Sequence, residues 1–186
     1  MCLVSSRDDL ALLPSLIAAG VDAFQVRDKA LGGRDLVRLT QRLLDTGATV
    51  IVNDRLDVAL AAQADGVHLG ASDLLVTQAR RIAPDLLIGA TCRNRVDVEA
   101  AAHAGADYAG FGPIFATSSK EGLPDPVGPG ALEEVTGVLP LIAIGGITAA
   151  NASAIPRGAG VAVIGGIWSQ PDPIAAAAGI AQAVRA

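Results

Sequence analysis

Val21-Asp22-Ala23-Phe24-Gln25-Val26-Arg27-Asp28-Lys29 changes from an apolar run into alternating apolar and polar residues, and it ends in charge. Read as a strand, it turns Phe24 and Val26 to one face and Gln25 and Arg27 to the other, with Lys29 following on the polar side. A strand buried in an α/β protein should be apolar on both faces, because helices cover one and a core fills the other. An amide, a guanidinium and an ammonium in succession are costly there unless a ligand pairs with them. A phosphate or pyrophosphate suits such a trio.

Outward from this stretch the chain repeats one rhythm: strand, Gly or polar loop, Ala/Leu-rich helix. The strands read at Cys2–Ser5, Asp22–Arg27, Thr49–Asn53, Gly66–Leu69, Leu86–Ala90, Tyr108–Phe111, Leu141–Ile144 and Val161–Ile164. The helices read at Asp8–Ala19, Arg34–Asp45, Asp57–Gln63, Leu75–Ala83, Val96–Ala104, Gly130–Val138, Ala149–Ile155 and Pro173–Val184. Eight strands alternating with eight helices predict a compact α/β fold, a single-domain (β/α)8 TIM barrel over residues 1–186. A doubly wound open sheet is the alternative. The chain has 186 residues where such barrels usually need roughly 200 or more, which implies short loops and helices.

Composition bounds the function. Net charge is −5, and three Phe, one Tyr and one Trp provide no stacking platform, so no nucleic-acid partner is expected. Val135 to Pro156 carries no charge, but Gly137, Pro140, Gly145, Gly146 and Asn151 interrupt it, and it reads as turn, strand and loop, not a membrane span. Cys2 and Cys92 form no CxxC framework, and Arg7, Asp8 and Asp9 come too early for a secretory leader; both point to the cytoplasm. The sequence does not fix the assembly, and a homodimer stays open.

In a barrel, catalytic residues collect in the loops after the strands. Strand two ends in Gln25, Arg27 and Lys29, strand three in Asn53-Asp54, and Gly70-Ala71-Ser72-Asp73 follows strand four. Strand five ends in Thr91-Cys92-Arg93, and strand six leads to Thr117-Ser118-Ser119-Lys120. Strands seven and eight end in the same tetrapeptide, Ile144-Gly145-Gly146-Ile147 and Ile164-Gly165-Gly166-Ile167. Twin Gly-Gly pairs let the backbone turn N–H groups toward an anion, at the common phosphate position of this fold, although tight turning also favours Gly. Asp54 and Asp73 can share a Mg²⁺ that also binds substrate phosphates; the alternative for Asp73 is helix capping before Leu74-Leu75. Lys120 and the hydroxyls before it suit a second anion on a long loop, which otherwise reads as solvated surface. Cys92 reads as an inert buried thiol, His68 as an interior filler and His103 as a structural helix residue.

Taken together, these segments resemble the thiamine-phosphate synthase family, within the thiamine monophosphate synthase and thiazole tautomerase superfamily. The matching pieces are Gln25–Lys29 (QVRDK), Val52–Arg55 (VNDR), Asp65–Gly70 (DGVHLG) with Asp73, Ala106–Gly110 (ADYAG), Gly112–Phe115 (GPIF) with Thr117 and Lys120, and Ile142–Ile147 (IAIGGI). The resemblance implies a barrel that joins hydroxymethylpyrimidine diphosphate to thiazole phosphate, releasing pyrophosphate and making thiamine phosphate. It implies that Gln25, Arg27, Lys29, Asn53, Thr91 and Lys120 hold the pyrimidine diphosphate, with Arg27, Lys29 and Lys120 serving catalysis. It implies that Thr117, Ser118, Ser119, Gly146, Ile164 and Gly165 surround the thiazole phosphate, and that Asp54 and Asp73 bind Mg²⁺.

Three positions depart from the family pattern. Thr91 and Arg93 stand where Ser and His are common, and Gly165 stands where a Ser often does. Arg93 weighs against the rival reading, a thiazole tautomerase, because an arginine is no general base at neutral pH. A non-catalytic barrel that captures a phosphate ligand is the third reading; Asp54, Asp73 and Lys120 go beyond what simple capture requires.

Overall fold

A computed structural model of the chain describes residues 1–117 and 124–185. Its strands are Cys2–Val4 (β1), Ala23–Val26 (β2), Thr49–Asn53 (β3), Gly66–Leu69 (β4), Leu87–Cys92 (β5), Tyr108–Phe111 (β6), Leu141–Ile144 (β7) and Gly160–Ala162 (β8). They pair in chain order, every neighbour parallel. Leu3 N–H donates to the Val163 carbonyl at 2.9 Å and Val163 N–H to Met1 at 3.2 Å, which ties β8 back to β1. The predicted single-domain barrel is the fold; the open sheet is not.

The helices are Leu13–Ala18 (α1), Gly33–Leu44 (α2), Leu56–Ala62 (α3), Val76–Ile82 (α4), Arg95–Ala104 (α5), Gly130–Glu133 (α6), Gly165–Trp168 (α7) and Pro173–Arg185 (α8). In α2 the buried set Leu36, Leu39, Thr40 and Leu43 follows helical spacing and makes one apolar stripe against the sheet. Helix α5 starts where Asn94 Oδ1 accepts the Asp97 N–H at 2.9 Å and stops at Gly105, whose φ of +92° suits the left-handed cap.

Three expected helices differ. Asp8–Ala19 divides into a 3₁₀ turn, Leu10–Leu12, capped by Asp9, and then α1. Gly130–Val138 is helical only over α6. Ala149–Ile155 keeps a single 3₁₀ turn, Ala152–Ala154. There the Asn151 side chain accepts the Thr148 N–H at 2.8 Å and donates to the Gly146 carbonyl at 2.9 Å, binding the segment to the barrel end. At the edges, β5 runs on to include Thr91 and Cys92, and β8 stops at Ala162, so Ile164 belongs to the turn into α7.

Alternation along the strands divides the core. Phe24, Val26, Val50, Val52, Val67, Leu69, Ile88, Ala109 and Phe111 face the helices and are buried. Gln25, Ile51, His68, Tyr108 and Ile142 occupy the other face, the barrel interior. Glycines make room for the large ones: a Cβ on Gly89 would lie 2.0 Å from Tyr108 Cζ, and one on Gly110 would lie 2.6 Å from His68 Cε1. At the floor, opposite the functional loops, a hollow of about 400 Å³ is bounded by Thr49, Ile51, Leu87, Tyr108 and Ile142 and is mostly apolar.

Candidate active site

The opening stretch folds as its alternation requires. Phe24 and Val26 are buried against helices, and Gln25 is buried in the interior, its amide nitrogen 3.7 Å from the Met1 sulfur, a weak acceptor. Arg27 follows on the interior face at the rim, half-buried, and Lys29 is exposed beyond it. Asp28 has a different task. Its carboxylate accepts the Ser6 hydroxyl and the Ser6 N–H at 3.0 Å, and the Ala30 N–H at 2.9 Å, pinning the loop after β1 to the loop after β2. The Ser6 hydroxyl is the main reason its carboxyl stays below the usual range.

Asn53 ends β3, and Asp54 follows in the left-handed region at φ +64°, its N–H donating to the His68 carbonyl at 2.8 Å. That turn carries Asp54 toward β4 and to the Asp73 side chain. Burial raises the Asp54 carboxyl above its ordinary value, a hydrogen bond and the charge of Asp73 raise it further, and Lys29 and Arg27 act the other way. Two carboxyls and two cations from three successive loops therefore share one corner of the rim. Asp73 is not the cap of α4, which starts after Leu75; it accepts the Gly70 N–H at 2.8 Å instead. Arg55 lies outside the cluster and pairs with Asp57 on the surface.

An oxygen-only pair fits a hard cation such as Mg²⁺, which takes one or two carboxylates and completes its shell with water and phosphate oxygens. The raised Asp54 carboxyl has the same sense: burial raises it first and Asp73 adds to that, and a nearby cation would offset both. Among the described residues no group of three or more His, Cys, Asp or Glu side chains gathers as an all-protein cage.

Across the mouth, Thr91 is exposed and its hydroxyl lies 3.0 Å from His68 Nε2; His68 Nδ1 lies 3.2 Å from the Tyr108 hydroxyl. Burial pushes the His68 imidazole down to about 4, against a smaller opposing pull from Asp73, so the ring is neutral at pH 7. The Arg93 guanidinium donates to the Asp125 carbonyl at 2.8 Å, and its buried Nε has no acceptor among the described residues. Cys92, as expected, and Cys2 are both buried, and burial pushes their thiols up to about 12, which disfavours the reactive thiolate.

The twin tetrapeptides share a sequence and not a conformation. Gly145 and Gly146 have φ of +100° and +66°, and a Cβ on Gly146 would sit 2.4 Å from the Ala116 carbonyl oxygen, so this pair is needed for turning and close packing. Gly165 and Gly166 open α7, where their N–H groups precede the first intrahelical bonds. Ile164 stands just before them, and half-buried Thr117 ends the described part of the loop after β6. Ser118, Ser119 and Lys120 lie outside the described residues.

A parallel (β/α)8 barrel with cations and a carboxyl pair on its C-terminal rim has the build of an enzyme for anionic small molecules. The chain belongs to the thiamine monophosphate synthase family, whose model matches residues 1–167. It is 52% identical over 178 residues to the thiamine-phosphate synthase of Methanoculleus marisnigri, covering 91% of this chain and 83% of that one. It is 45% identical over 194 residues to the Geobacillus kaustophilus thiamine-phosphate synthase, covering 98% and 88%. Among solved structures it is similar to the thiamine phosphate pyrophosphorylase of Pyrococcus furiosus, with a TM-score of 0.88 at 30% identity, over 99% of this chain and 94% of that one. A 3-hexulose-6-phosphate synthase, TM-score 0.71 at 17% identity, shares the fold alone.

Proposed function

We propose that this chain is a thiamine-phosphate synthase, a transferase that couples hydroxymethylpyrimidine diphosphate with thiazole phosphate to give thiamine phosphate and pyrophosphate. The observation that carries the reading is the rim cluster of Arg27, Lys29, Asp54 and Asp73, in a chain that matches this family over most of its length. Asp54 and Asp73 would hold a Mg²⁺, which would supply positive charge for a diphosphate. Arg27 and Lys29 approach the same corner from β2, where they neutralise and orient the departing pyrophosphate. Lys120 belongs to this set by family resemblance.

The reaction asks little acid–base work of the protein. The carbon that loses pyrophosphate has its positive charge delocalised into an aminopyrimidine, and the thiazole nitrogen is the nucleophile. Orientation and charge neutralisation remain for Gln25, Asn53 and Thr91 on the pyrimidine side. On the thiazole side, Thr117, Ser118, Ser119, Gly146, Ile164 and Gly165 take the phosphate; at Gly165 only backbone donors serve. Arg93 engages the Asp125 carbonyl and offers no proton acceptor, which favours the synthase over the tautomerase.

No helix among the described residues is long and apolar enough to cross a membrane. A cytoplasmic enzyme acting on small phosphate esters agrees with its inert thiols. The test is incubation of purified protein with both substrates and Mg²⁺: thiamine phosphate and pyrophosphate are expected in equal amounts. No product in excess Mg²⁺ refutes the reading.

A further inference from the structure

We propose that His68 is a positioning residue that fixes the direction in which the Thr91 hydroxyl faces the substrates. The inference rests on the synthase reading and adds to it a residue that does not itself touch them. A threonine hydroxyl has one proton, two lone pairs and a free rotor, so an exposed one in a wet mouth points anywhere. Thr91 is exposed, yet its oxygen lies 3.0 Å from His68 Nε2. Water would satisfy that hydroxyl equally well, so the bond is not needed to rescue a buried polar group.

The imidazole is itself held. Its Nδ1 lies 3.2 Å from the Tyr108 hydroxyl, and the two rings stack with centroids 5.6 Å apart and planes at 28°. A neutral imidazole donates through one nitrogen and accepts through the other, so whichever role Nδ1 takes toward the Tyr108 hydroxyl, Nε2 takes the opposite one toward Thr91. The barrel omits two side chains to admit this pair: a Cβ on Gly110 would lie 2.6 Å from His68 Cε1, and one on Gly89 would lie 2.0 Å from Tyr108 Cζ. Three strands, β4, β5 and β6, thus contribute one side chain each to a line from the interior to the mouth. Only its last member reaches substrate.

The experiment is a double-mutant cycle in thiamine phosphate formation, with His68→Leu, Thr91→Val and the pair, alongside His68→Gln. His68→Leu is expected to lower kcat about tenfold, the rate equivalent of one neutral hydrogen bond, with KM for thiazole phosphate within about twofold. In the Thr91→Val background the same change is expected to cost nothing further. His68→Gln, whose amide reaches the Nε2 position, is expected to recover most of the rate. Additive losses, a rate unchanged in His68→Leu, or equal losses in the Leu and Gln variants would show that His68 only fills the interior. Imidazole ¹⁵N spectra give a readout without turnover: Thr91→Val should shift Nε2 and leave Nδ1 in place, and an unmoved Nε2 overturns the proposal. A wild-type chain that makes no thiamine phosphate defeats the synthase reading and this role with it; an active wild type with an additive cycle defeats this role alone.

Discussion

His68 ties stability to pH in a way that can be worked through. Its ring sits in the barrel interior with its imidazole pushed from 6.5 down to about 4, chiefly by burial. The folded state therefore binds fewer protons than the unfolded state between those values. By linkage, the stabilisation is fully present above the unfolded value and is lost as pH falls toward the folded one. At ~1.4 kcal/mol per unit the full displacement is worth about 3–4 kcal/mol. The ring edge that meets Thr91 is open to the mouth, so screening brings the expected loss to roughly 2–3 kcal/mol. Urea unfolding of metal-free protein at steps from pH 7.5 to 4 gives the measurement, with His68→Gln as the reference. The carboxyls titrate in both proteins, so the difference between them isolates the imidazole. That difference should shrink by about 2–3 kcal/mol, mostly between pH 6.5 and 4. If it stays constant within about 0.5 kcal/mol, the imidazole is not held neutral by burial, and the account of the interior fails.

Asp54→Asn and Asp73→Asn are each expected to lower turnover on the order of a hundredfold or more, read by product formation at fixed Mg²⁺, and excess chelator should do the same to the wild type. Because burial and Asp73 raise the Asp54 carboxyl, its charge opposes folding at neutral pH, and metal-free Asp54→Asn should melt higher than wild type. Arg27→Met should weaken pyrimidine diphosphate binding by calorimetry, leave thiazole phosphate binding nearly unchanged and keep or raise Tm, since the guanidinium lies half-buried at the rim. An unfolded Arg27→Met variant whose residual folded fraction binds diphosphate normally would make Arg27 structural. Gly146→Ala should destabilise by about 2–4 kcal/mol in urea, because φ is +66° and the new Cβ meets the Ala116 carbonyl oxygen.

The strands were legible because their apolar runs are bounded by Gly, Pro and Asp: Thr49–Asn53, Gly66–Leu69, Tyr108–Phe111 and Leu141–Ile144 fall where the pattern puts them. The rim was legible through one rule, that polar residues after barrel strands face the ligand end. Helix ends were less so. Ala149–Ile155 has the composition of a helix, but the Asn151 side chain takes the Thr148 N–H and binds the Gly146 carbonyl, competition that no propensity records. The unequal backbones of the two Gly-Gly-Ile segments were invisible because identical residues hide different neighbours. The Tyr108–His68–Thr91 line was missed too, though alternation alone puts His68 and Tyr108 on the interior face. The signal was the Gly at 89 and 110, each where a strand gives up a side chain to admit a ring.

Aspartates at the two ends of the barrel show how position separates scaffold from chemistry. Asp65 and Asp107 each precede an even-numbered strand, after a left-handed residue (Gln63 or Gly105) and an alanine. Their carboxylates accept the Val50 and Ile88 N–H groups of the preceding odd strand, each at 2.7 Å. Arg80 adds to the second of these: it donates to Asp107 and twice to the Gly105 carbonyl, and it also bonds the Pro84 and Leu86 carbonyls. Each of these carboxylates is engaged by a strand N–H, and Asp107 by the Arg80 guanidinium as well, so their charge stabilises the strand starts. Asp54 and Asp73 follow strands instead. Asp73 spends one oxygen on the Gly70 N–H, and Asp54 faces Asp73 with the cations of β2 nearby. A carboxylate left to face another carboxylate is unfavourable unless something positive joins them, and that asymmetry marks the rim, not the floor, as the place where a charged substrate is handled.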